Sequence, residues 1–399
     1  MYKEITRREP YDFVAITIIL YYSISPFLYL VRAFLGDANV TAVILRSSEP
    51  ILLLTTFSFC LLKNKFKLNH YSLTLLLVGF YGVLIAIIHG NKPIDFIGGY
   101  LHYMTGIIVW MYFYNSNDQM NVDKFMRALS YYTIISYTIV ITYIYCMTFL
   151  GVPIYLGVAC QVLIVVFFYN IQKRRFFLSF CSLLLILISG KRGVFAALVI
   201  GSIVSLFFIL KHLQFGKRVK VLFAIGLSVA LLVAILPFAN ERLVNKYIYT
   251  ENKTVDDYSA GRWNEIISAY DEWTSNLETV VIGSGFGFTY TYVYSQTTIA
   301  DVHDYKNVHF SYLNPPIIFG LPMSLLYYGC LFLLFFKLFQ NPNPQLLFMK
   351  WACFTYIIYA CFVFNLFDEP IFWMINGLLF NHRLGFNSHV LRRPTCASS

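Results

Sequence analysis

The chain has 399 residues, of which 58% are hydrophobic and only 13% are charged, and its formal net charge is +10. This balance excludes a soluble globular domain, in which charged residues make up about a quarter of the sequence. The basic residues are dispersed over short connectors between apolar runs. We therefore interpret them as residues at a membrane surface, in contact with lipid headgroups, and expect no nucleic-acid partner.

Apolar segments that are long enough, or nearly long enough, to cross a bilayer recur along the whole chain. They predict an all-α polytopic membrane protein with about 12 transmembrane helices, or about 11 if one of the shortest segments does not span. The predicted segments are 11–31, 50–62, 71–88, 96–114, 128–150, 152–170, 176–189, 193–210, 219–238, 310–336, 346–367 and 371–386.

The distribution of basic residues predicts the orientation of these helices. Cytoplasmic loops retain positive charge, and most of the 30 Lys and Arg residues fall on the side that holds both termini. We therefore expect both termini in the cytoplasm and the longest polar segment outside. The predicted organisation has transmembrane helices one to nine in 1–238, an extracytoplasmic loop with a short amphipathic helix in 239–309, helices ten to twelve in 310–386 and a cytoplasmic tail in 387–399.

The connector at residues 189–193 (Ser-Gly-Lys-Arg-Gly) follows an unusually short predicted helix. Segment 176–189 rises only about 21 Å, whereas the hydrocarbon core is about 30 Å thick, so Lys191 and Arg192 are expected inside the outer leaflet. A cation at that depth is costly unless an anion pairs with it, and a lipid phosphate suits the planar donors of arginine. Alternatively, both side chains extend to the interface as anchors.

A helix is predicted to begin near Arg262 in the polar segment, with Ser259 as its cap. We expect Glu265 mostly on the polar side of this helix, whose apolar side would lie on the outer membrane surface. That apolar side carries Trp263, Ile266, Ile267, Tyr270 and Trp273. Arg262 is placed to reach the same anion as Arg192. The alternative is a surface arginine balanced by Glu265 or Asp257.

Two histidines, His303 and His309, stand at the end of the polar segment. The unperturbed pKa of histidine lies near neutrality, which suits the removal of a proton from a sugar hydroxyl. His309 at the outer mouth of the tenth span is the candidate, and an interfacial histidine bonded only to backbone or solvent is the alternative. The glycine-rich residues 283–287 predict a tight turn and no phosphate-binding fold.

Asp368 and Glu369 precede Pro370 in the last predicted outer turn. They are candidates for binding sugar hydroxyls or for supporting the histidine, although a solvated turn is the simpler interpretation. No pair of cysteines has metal-ligand spacing, and we expect neither a metal site nor a cofactor.

The order of these motifs carries a resemblance. A Ser-Gly-Lys-Arg-Gly turn that opens a span, Gly-Arg-Trp in a loop, an Ile-Gly-Ser-Gly-Phe-Gly turn, and a histidine before Gly-Leu-Pro at 320–322 resemble the O-antigen ligase and polymerase family. Within that family, the chain looks most like an oligosaccharide repeat-unit polymerase of a surface polysaccharide pathway. The resemblance covers roughly residues 189–322.

The resemblance implies a metal-independent glycosyltransferase of C-type-like architecture at the outer face of the bacterial inner membrane. Its donor and acceptor would be undecaprenyl-diphosphate-linked oligosaccharides, and a chain-length regulator is a further partner to consider. A ligase that passes the glycan to a lipid A core is the alternative within the enzyme class. A flippase for lipid-linked oligosaccharides is less favoured, because the charges cluster at the outer edge and not along a central cavity.

The resemblance also implies roles for individual residues. Arg192 and Arg262, with Lys191 beside them, would hold the donor diphosphate, and His309 would accept the proton of the attacking hydroxyl. The family usually has asparagine directly after this histidine, whereas this chain has phenylalanine. We therefore expect that Asn307 or Asn314 orients the imidazole, or that His303 is the true counterpart.

Overall fold

The structure is a computed structural model of the chain. It describes residues 12–35, 39–63, 65–115, 121–150, 160–211, 262–293, 302–305, 308–340, 344–363 and 369–381. These residues are mostly helical. The helices in chain order are α1 (Phe13–Leu35), α2 (Asn39–Leu62), α3 (His70–Ile88), α4 (Pro93–Tyr114), α5 (Val122–Phe149), α6 (Val162–Gln172), α7 (Phe176–Ile188), α8 (Arg192–Lys211), α9 (Arg262–Thr274), α10 (Leu277–Ile282), α11 (Asn314–Gln340), α12 (Leu347–Tyr359) and α13 (Pro370–Phe380).

The predicted spans agree with these helices at a coarse level. Each predicted span coincides at least partly with a described helix, except 219–238, which lies outside the described residues. Within the described part, four helical stretches are long and apolar enough to cross a membrane. They are Phe13–Val31, His70–Ile88, Val122–Met147 and Asn314–Lys337. The protein is therefore an all-α membrane protein in its main features, while the number of about 12 spans and the extent of the outer loop stay predictions.

A short β-hairpin departs from the all-α prediction. Strands β1 (Tyr290–Val293) and β2 (Val302–Tyr305) pair antiparallel, with Tyr290 opposite Tyr305 and Tyr292 opposite His303. The alternation of tyrosine with β-branched residues in β1 favours a strand. We had treated this stretch only as part of the polar loop, because four residues give a weak periodic signal.

Consecutive helices alternate in direction, so their ends fall into two groups. At one end of the bundle, Tyr112 near the end of α4 donates to Asp12 before α1 at 2.7 Å, and the ammonium of Lys65 lies 3.9 Å from the same carboxylate. Lys337 near the end of α11 lies over the ring of Tyr71 at the start of α3, at this same end. The candidate site residues lie at the opposite end.

Four helices of the described bundle are short. α6 and α13 have 11 residues each, and α7 and α12 have 13 residues each, so they rise only about 17–20 Å. α13 is buried along its whole length, and Asn381 after its end donates to the carbonyl of Phe113 near the end of α4 at 3.0 Å. α4 has 22 residues and rises about 33 Å. The start of α13 therefore lies about 17 Å short of the start of α4 along the bundle.

The glycine-rich residues 283–287, which we call the glycine clasp, fix the segment that contains α9 and α10 to the bundle. The backbone N–H groups of Ser284 and Gly285 donate to the carbonyls of Ile317 and Ile318 at 2.7 and 3.0 Å. These carbonyls are available because α11 breaks at Gly320, where φ is 70° and ψ is 169°, and because the following proline at 322 has no N–H group. The predicted tight turn is present. The break at the Gly-Leu-Pro motif leaves the carbonyl groups to which it binds without helical partners.

Phe286 at the centre of the glycine clasp completes this attachment. Its backbone N–H donates to the carbonyl of Gly82 on α3 at 3.2 Å. Its ring packs against Gly82 and against Gly99 on α4, where a side chain would collide with it. The clasp thereby fixes α10, and with it α9, relative to α3, α4 and α11.

Candidate active site

His309 and Glu265 form the centre of the site. The Nδ1 atom of His309 lies 2.7 Å from Oε2 and 2.9 Å from Oε1 of Glu265. Oε1 also accepts the backbone N–H of His309 at 3.0 Å and the hydroxyl of Tyr290 at 2.8 Å. An ionised carboxylate can only accept, so Nδ1 carries the proton and the lone pair of the neutral ring is on Nε2. This arrangement fixes both the tautomer and the orientation of the imidazole.

The surroundings of His309 favour its neutral form. Burial lowers the pKa of the imidazole, the hydrogen bond and charge of Glu265 raise it, and the positive charges of Arg262 and Lys191 lower it further, with a lowered pKa as the net result. A neutral imidazole is the form that accepts a proton. The same interactions show that Arg262 and Lys191 lie within electrostatic reach of His309.

Glu265 is a candidate site residue that the sequence did not reveal. We expected it mostly on the polar side of α9, but it faces the protein and is only 4% exposed. Ala269 and Trp273, four and eight residues later, are buried on the same side. Trp263 and Tyr270 of the predicted apolar side are 54% and 50% exposed, and their contact with the membrane surface stays a prediction. The burial of Glu265 could not be predicted, because its partner His309 lies 44 residues away in sequence.

The asparagine predicted to orient the imidazole has another role. Asn314 accepts the backbone N–H of Val308 and donates to the carbonyl of the same residue, both at 3.0 Å. It therefore fixes the chain just before His309, whereas Glu265 holds the ring. Asn307 lies outside the described residues. His303 lies in β2, and its side chain is outside the description as well.

The segment after His309 is attached to the end of α12. Ser311 donates its backbone N–H to the carbonyl of Ala360 at 2.8 Å and its hydroxyl to the carbonyl of Val363 at 2.7 Å. Tyr312 donates its hydroxyl to the carbonyl of Ile357 at 2.7 Å. The carbonyl groups at the C-terminus of a helix would otherwise lack partners, so these bonds stabilise both segments.

Arg262 is held by the same helix end. It is the first residue of α9, and its Nη1 atom donates to the carbonyl of Phe362 at 2.8 Å. Phe362 ends the 3₁₀ turn that continues α12, so the guanidinium lies at the negative end of a helix. This contact fixes the side chain of Arg262 close to the connector that carries Lys191 and Arg192.

The connector between α7 and α8 packs against Phe362. Gly190 has a positive φ of 68°, and the Oγ atom of Ser189 donates to the carbonyl of Ile186 at 2.7 Å while it accepts the N–H of Lys191 at 3.4 Å. A side chain at Gly193 would lie 2.7 Å from the Cβ atom of Phe362. The connector and Arg262 therefore both contact Phe362.

Lys191 and Arg192 occupy this connector. Burial lowers the pKa of the Lys191 ammonium, the thiol of Cys160 raises it and the charge of Arg262 lowers it. Arg192 begins α8, a helix of 20 residues whose N-terminus adds positive potential. The predicted cations Lys191 and Arg262 are thus brought together with His309, and Arg192 is adjacent to them in the chain. This arrangement suits an anion that carries more than one negative charge.

Glu369 lies inside the bundle and is not part of a solvated turn. Its Oε1 atom accepts the hydroxyl of Tyr22 at 2.6 Å, and its Oε2 atom accepts the amide N–H of Gln161 at 3.1 Å. Burial raises the pKa of the Glu369 carboxyl, and these two hydrogen bonds lower it, with a raised pKa as the net result. The neighbouring Asp368 lies outside the described residues.

No group of three or more His, Cys, Asp or Glu side chains is placed to hold a metal ion, so far as the described ranges extend. The described part of the site consists of a carboxylate-bound imidazole beside a cluster of cations.

A comparison with protein families covers the part of the chain that holds most of these residues. Residues 177–328 match the family model described as O-antigen ligase. The matched region contains Lys191, Arg192, Arg262, Glu265 and His309, and it ends before Glu369. No curated protein sequence matches the chain. The match to the O-antigen ligase model places residues 177–328 in the O-antigen ligase/polymerase family.

Proposed function

We propose that the protein polymerises oligosaccharide repeat units, each linked to undecaprenyl diphosphate, into a surface polysaccharide at the outer face of the bacterial inner membrane. The family match of residues 177–328 supports an activity of the O-antigen ligase/polymerase type, which is glycosyltransferase-like. The observation that carries the more detailed proposal is the bond between His309 and the buried Glu265, within electrostatic reach of Lys191 and Arg262.

The cations bind the donor through its diphosphate. Arg262, Lys191 and Arg192 supply positive charge where the diphosphate leaves, and the N-terminus of α8 adds further N–H donors. Their contribution increases as the bond to the sugar breaks, because negative charge then accumulates on the leaving group. The chain's own charges serve this purpose, so we propose a metal-independent reaction.

The reaction forms one bond and breaks another. The acceptor hydroxyl oxygen attacks the anomeric carbon of the donor glycan, and the bond from that carbon to the diphosphate oxygen breaks. The hydroxyl proton passes to Nε2 of His309, and undecaprenyl diphosphate leaves with the bonding electron pair. Glu265 positions the imidazole and stabilises the imidazolium that forms.

The short length of α7 bears on where the lipid would bind. α7 and the connector after it end about 20 Å above the opposite end of the bundle, so a phosphate bound there lies below the level that a full-length span would reach. The prenyl chain would extend into the bilayer beside the connector, and the glycan would extend outward.

Ligation to a lipid A core uses the same donor chemistry and differs only in the acceptor. We therefore propose a test with purified protein and a defined undecaprenyl-diphosphate-linked repeat unit as both donor and acceptor. We expect a ladder of longer lipid-linked glycans. Transfer only when lipid A core is added would identify a ligase, and transport of the intact lipid-linked unit without transfer would identify a flippase.

Variants of the proposed base complete this test. His309→Ala should retain the folded protein and lose the ladder, whereas His70→Ala, an exposed histidine at the other end of the bundle, should retain it. A full ladder from His309→Ala would exclude the proposed mechanism.

A further inference from the structure

We propose that Glu369, Tyr22 and Gln161 form a subsite that binds the hydroxyl groups of the sugar attached directly to the donor diphosphate. This inference rests on the proposed function, because it assigns a part of the same substrate. The three side chains lie outside the matched family region, and the transfer step described above does not use them.

The carboxylate of Glu369 is held rigidly at the meeting point of three helices. Tyr22 of α1 donates to one oxygen at 2.6 Å, and Gln161, just before α6, donates to the other at 3.1 Å. Tyr22 in turn accepts the N–H of Ile371 at the start of α13 at 2.9 Å, and the carbonyl of Gln161 accepts the hydroxyl of Tyr356 at 2.8 Å. Side chains locked in this way bind a ligand with little loss of conformational freedom.

Capacity for further hydrogen bonds remains on the carboxylate. Each oxygen has two lone pairs and accepts one side-chain bond from the described residues, so each can accept one hydroxyl group more. Glu369 also keeps part of its surface open. Burial raises the pKa of this carboxyl, and additional donors would compensate for the water that it has lost. Two acceptor positions on one carboxylate suit a pair of neighbouring sugar hydroxyls.

The subsite adjoins the cations of the proposed diphosphate site. The thiol of Cys160, the residue before Gln161, lies 3.2 Å from the hydroxyl of Ser189 at the base of the Lys191 connector. Tyr359 lies within electrostatic reach of both Glu369 and Arg262. A carboxylate repels phosphate, so Glu369 suits the uncharged sugar next to the diphosphate and not the diphosphate itself.

The test separates binding of the sugar from binding of the diphosphate. Glu369→Gln keeps the size of the side chain, and Gln161 can turn its amide to remain bonded to it. We expect the KM for the lipid-linked repeat unit to rise about tenfold or more, since hydrogen bonds to a charged group are lost. The inhibition constant of undecaprenyl diphosphate without sugar should stay within about twofold, because that molecule does not reach the subsite. Arg192→Ala should weaken the binding of both the lipid-linked repeat unit and the sugar-free undecaprenyl diphosphate.

Tyr22→Phe is a second variant, which keeps the ring and removes the hydroxyl. We expect it to raise the donor KM less than Glu369→Gln does, again without weakening the sugar-free inhibitor. An unchanged donor KM in Glu369→Gln would overturn the subsite and leave the proposed function intact. A parallel loss of affinity for both lipids together with lowered thermal stability would overturn it too, since the cluster would then be purely structural. If the unmodified protein transferred no glycan from a lipid diphosphate, the proposed function itself would fail.

Discussion

The carboxylate of Glu265 contacts His309 at two places, through the ring Nδ1 atom at 2.7 Å and through the backbone N–H at 3.0 Å. One side chain of α9 therefore fixes both the main chain and the imidazole of a residue that precedes α11. Neither the tautomer nor the position of the ring depends on a substrate. The proposed base therefore has the required tautomer and orientation before any lipid binds.

Replacement of Glu265 by glutamine should reduce kcat by about 10²- to 10⁴-fold, with a small effect on the donor KM. The glutamine NH₂ group would face Nδ1 and favour the tautomer that carries its proton on Nε2, where the acceptor hydroxyl must deliver its own. Steady-state kinetics on purified protein would measure this change. Glu272→Gln, an exposed position on the same helix, is the matched control. Equal activity of the two variants would contradict the role of Glu265.

The pH dependence should report the charges around His309. Its lowered pKa means that kcat/KM falls as the pH drops through that value and is constant above it. Lys191→Met removes a cation that lowers the pKa, so the acidic limb should move to higher pH. Glu265→Gln removes a group that raises the pKa, so the limb of its residual activity should move to lower pH. Shifts in the same direction would be inconsistent with His309 as the titrating group.

Arg262→Lys should lower kcat/KM by about 10- to 100-fold even though the charge is conserved. Lysine lacks the planar fork of donors, so it cannot bond to the carbonyl of Phe362 and grip a phosphate in the same geometry. Arg127→Lys is a suitable control, because this exposed arginine at the other end of the bundle bonds to Asp123 at 2.9 Å. We expect the control to retain nearly full activity. Loss of activity in Arg127→Lys alone would contradict the role proposed for Arg262.

Gly285→Ala should destabilise the protein and reduce activity without touching the site. The φ of Gly285 is 75°, and a Cβ atom there would lie 2.2 Å from the backbone nitrogen of Ala86. We expect a loss of about 1–3 kcal/mol in the free energy of unfolding, seen as a lowered melting temperature in detergent. Gly98→Ala on α4, which has nothing within 4 Å, should be neutral or slightly stabilising. Equal melting temperatures for both variants would show that the glycine clasp does not hold the segment.

Several features of the site follow from local sequence. The apolar run of α7 ends where Ser189 and Gly190 interrupt it, so the short helix could be predicted from the sequence. The start of α9 at Arg262 and the turn at residues 283–287 were also predictable, because each has a local signal of polarity or glycine content.

Other features depend on partners that are distant in sequence. An acidic residue on an amphipathic helix is assigned to the polar face unless its partner is known, and the partner of Glu265 becomes visible only when the chain is folded. Glu369 and Tyr22 are separated by 347 positions, so no local pattern relates them. The hairpin of β1 and β2 was missed because its strands are too short to show periodicity.

The length of α7 also has a consequence for the lipids around it. Phe176, Phe177 and Phe180 are exposed on this helix, so it borders acyl chains, yet it covers only about 20 Å of a hydrocarbon layer of about 30 Å. Such hydrophobic mismatch is relieved when the adjacent leaflet thins. The membrane would then dip toward Lys191, and a prenyl-linked phosphate diffusing past would approach the cations without having to leave its own headgroup layer.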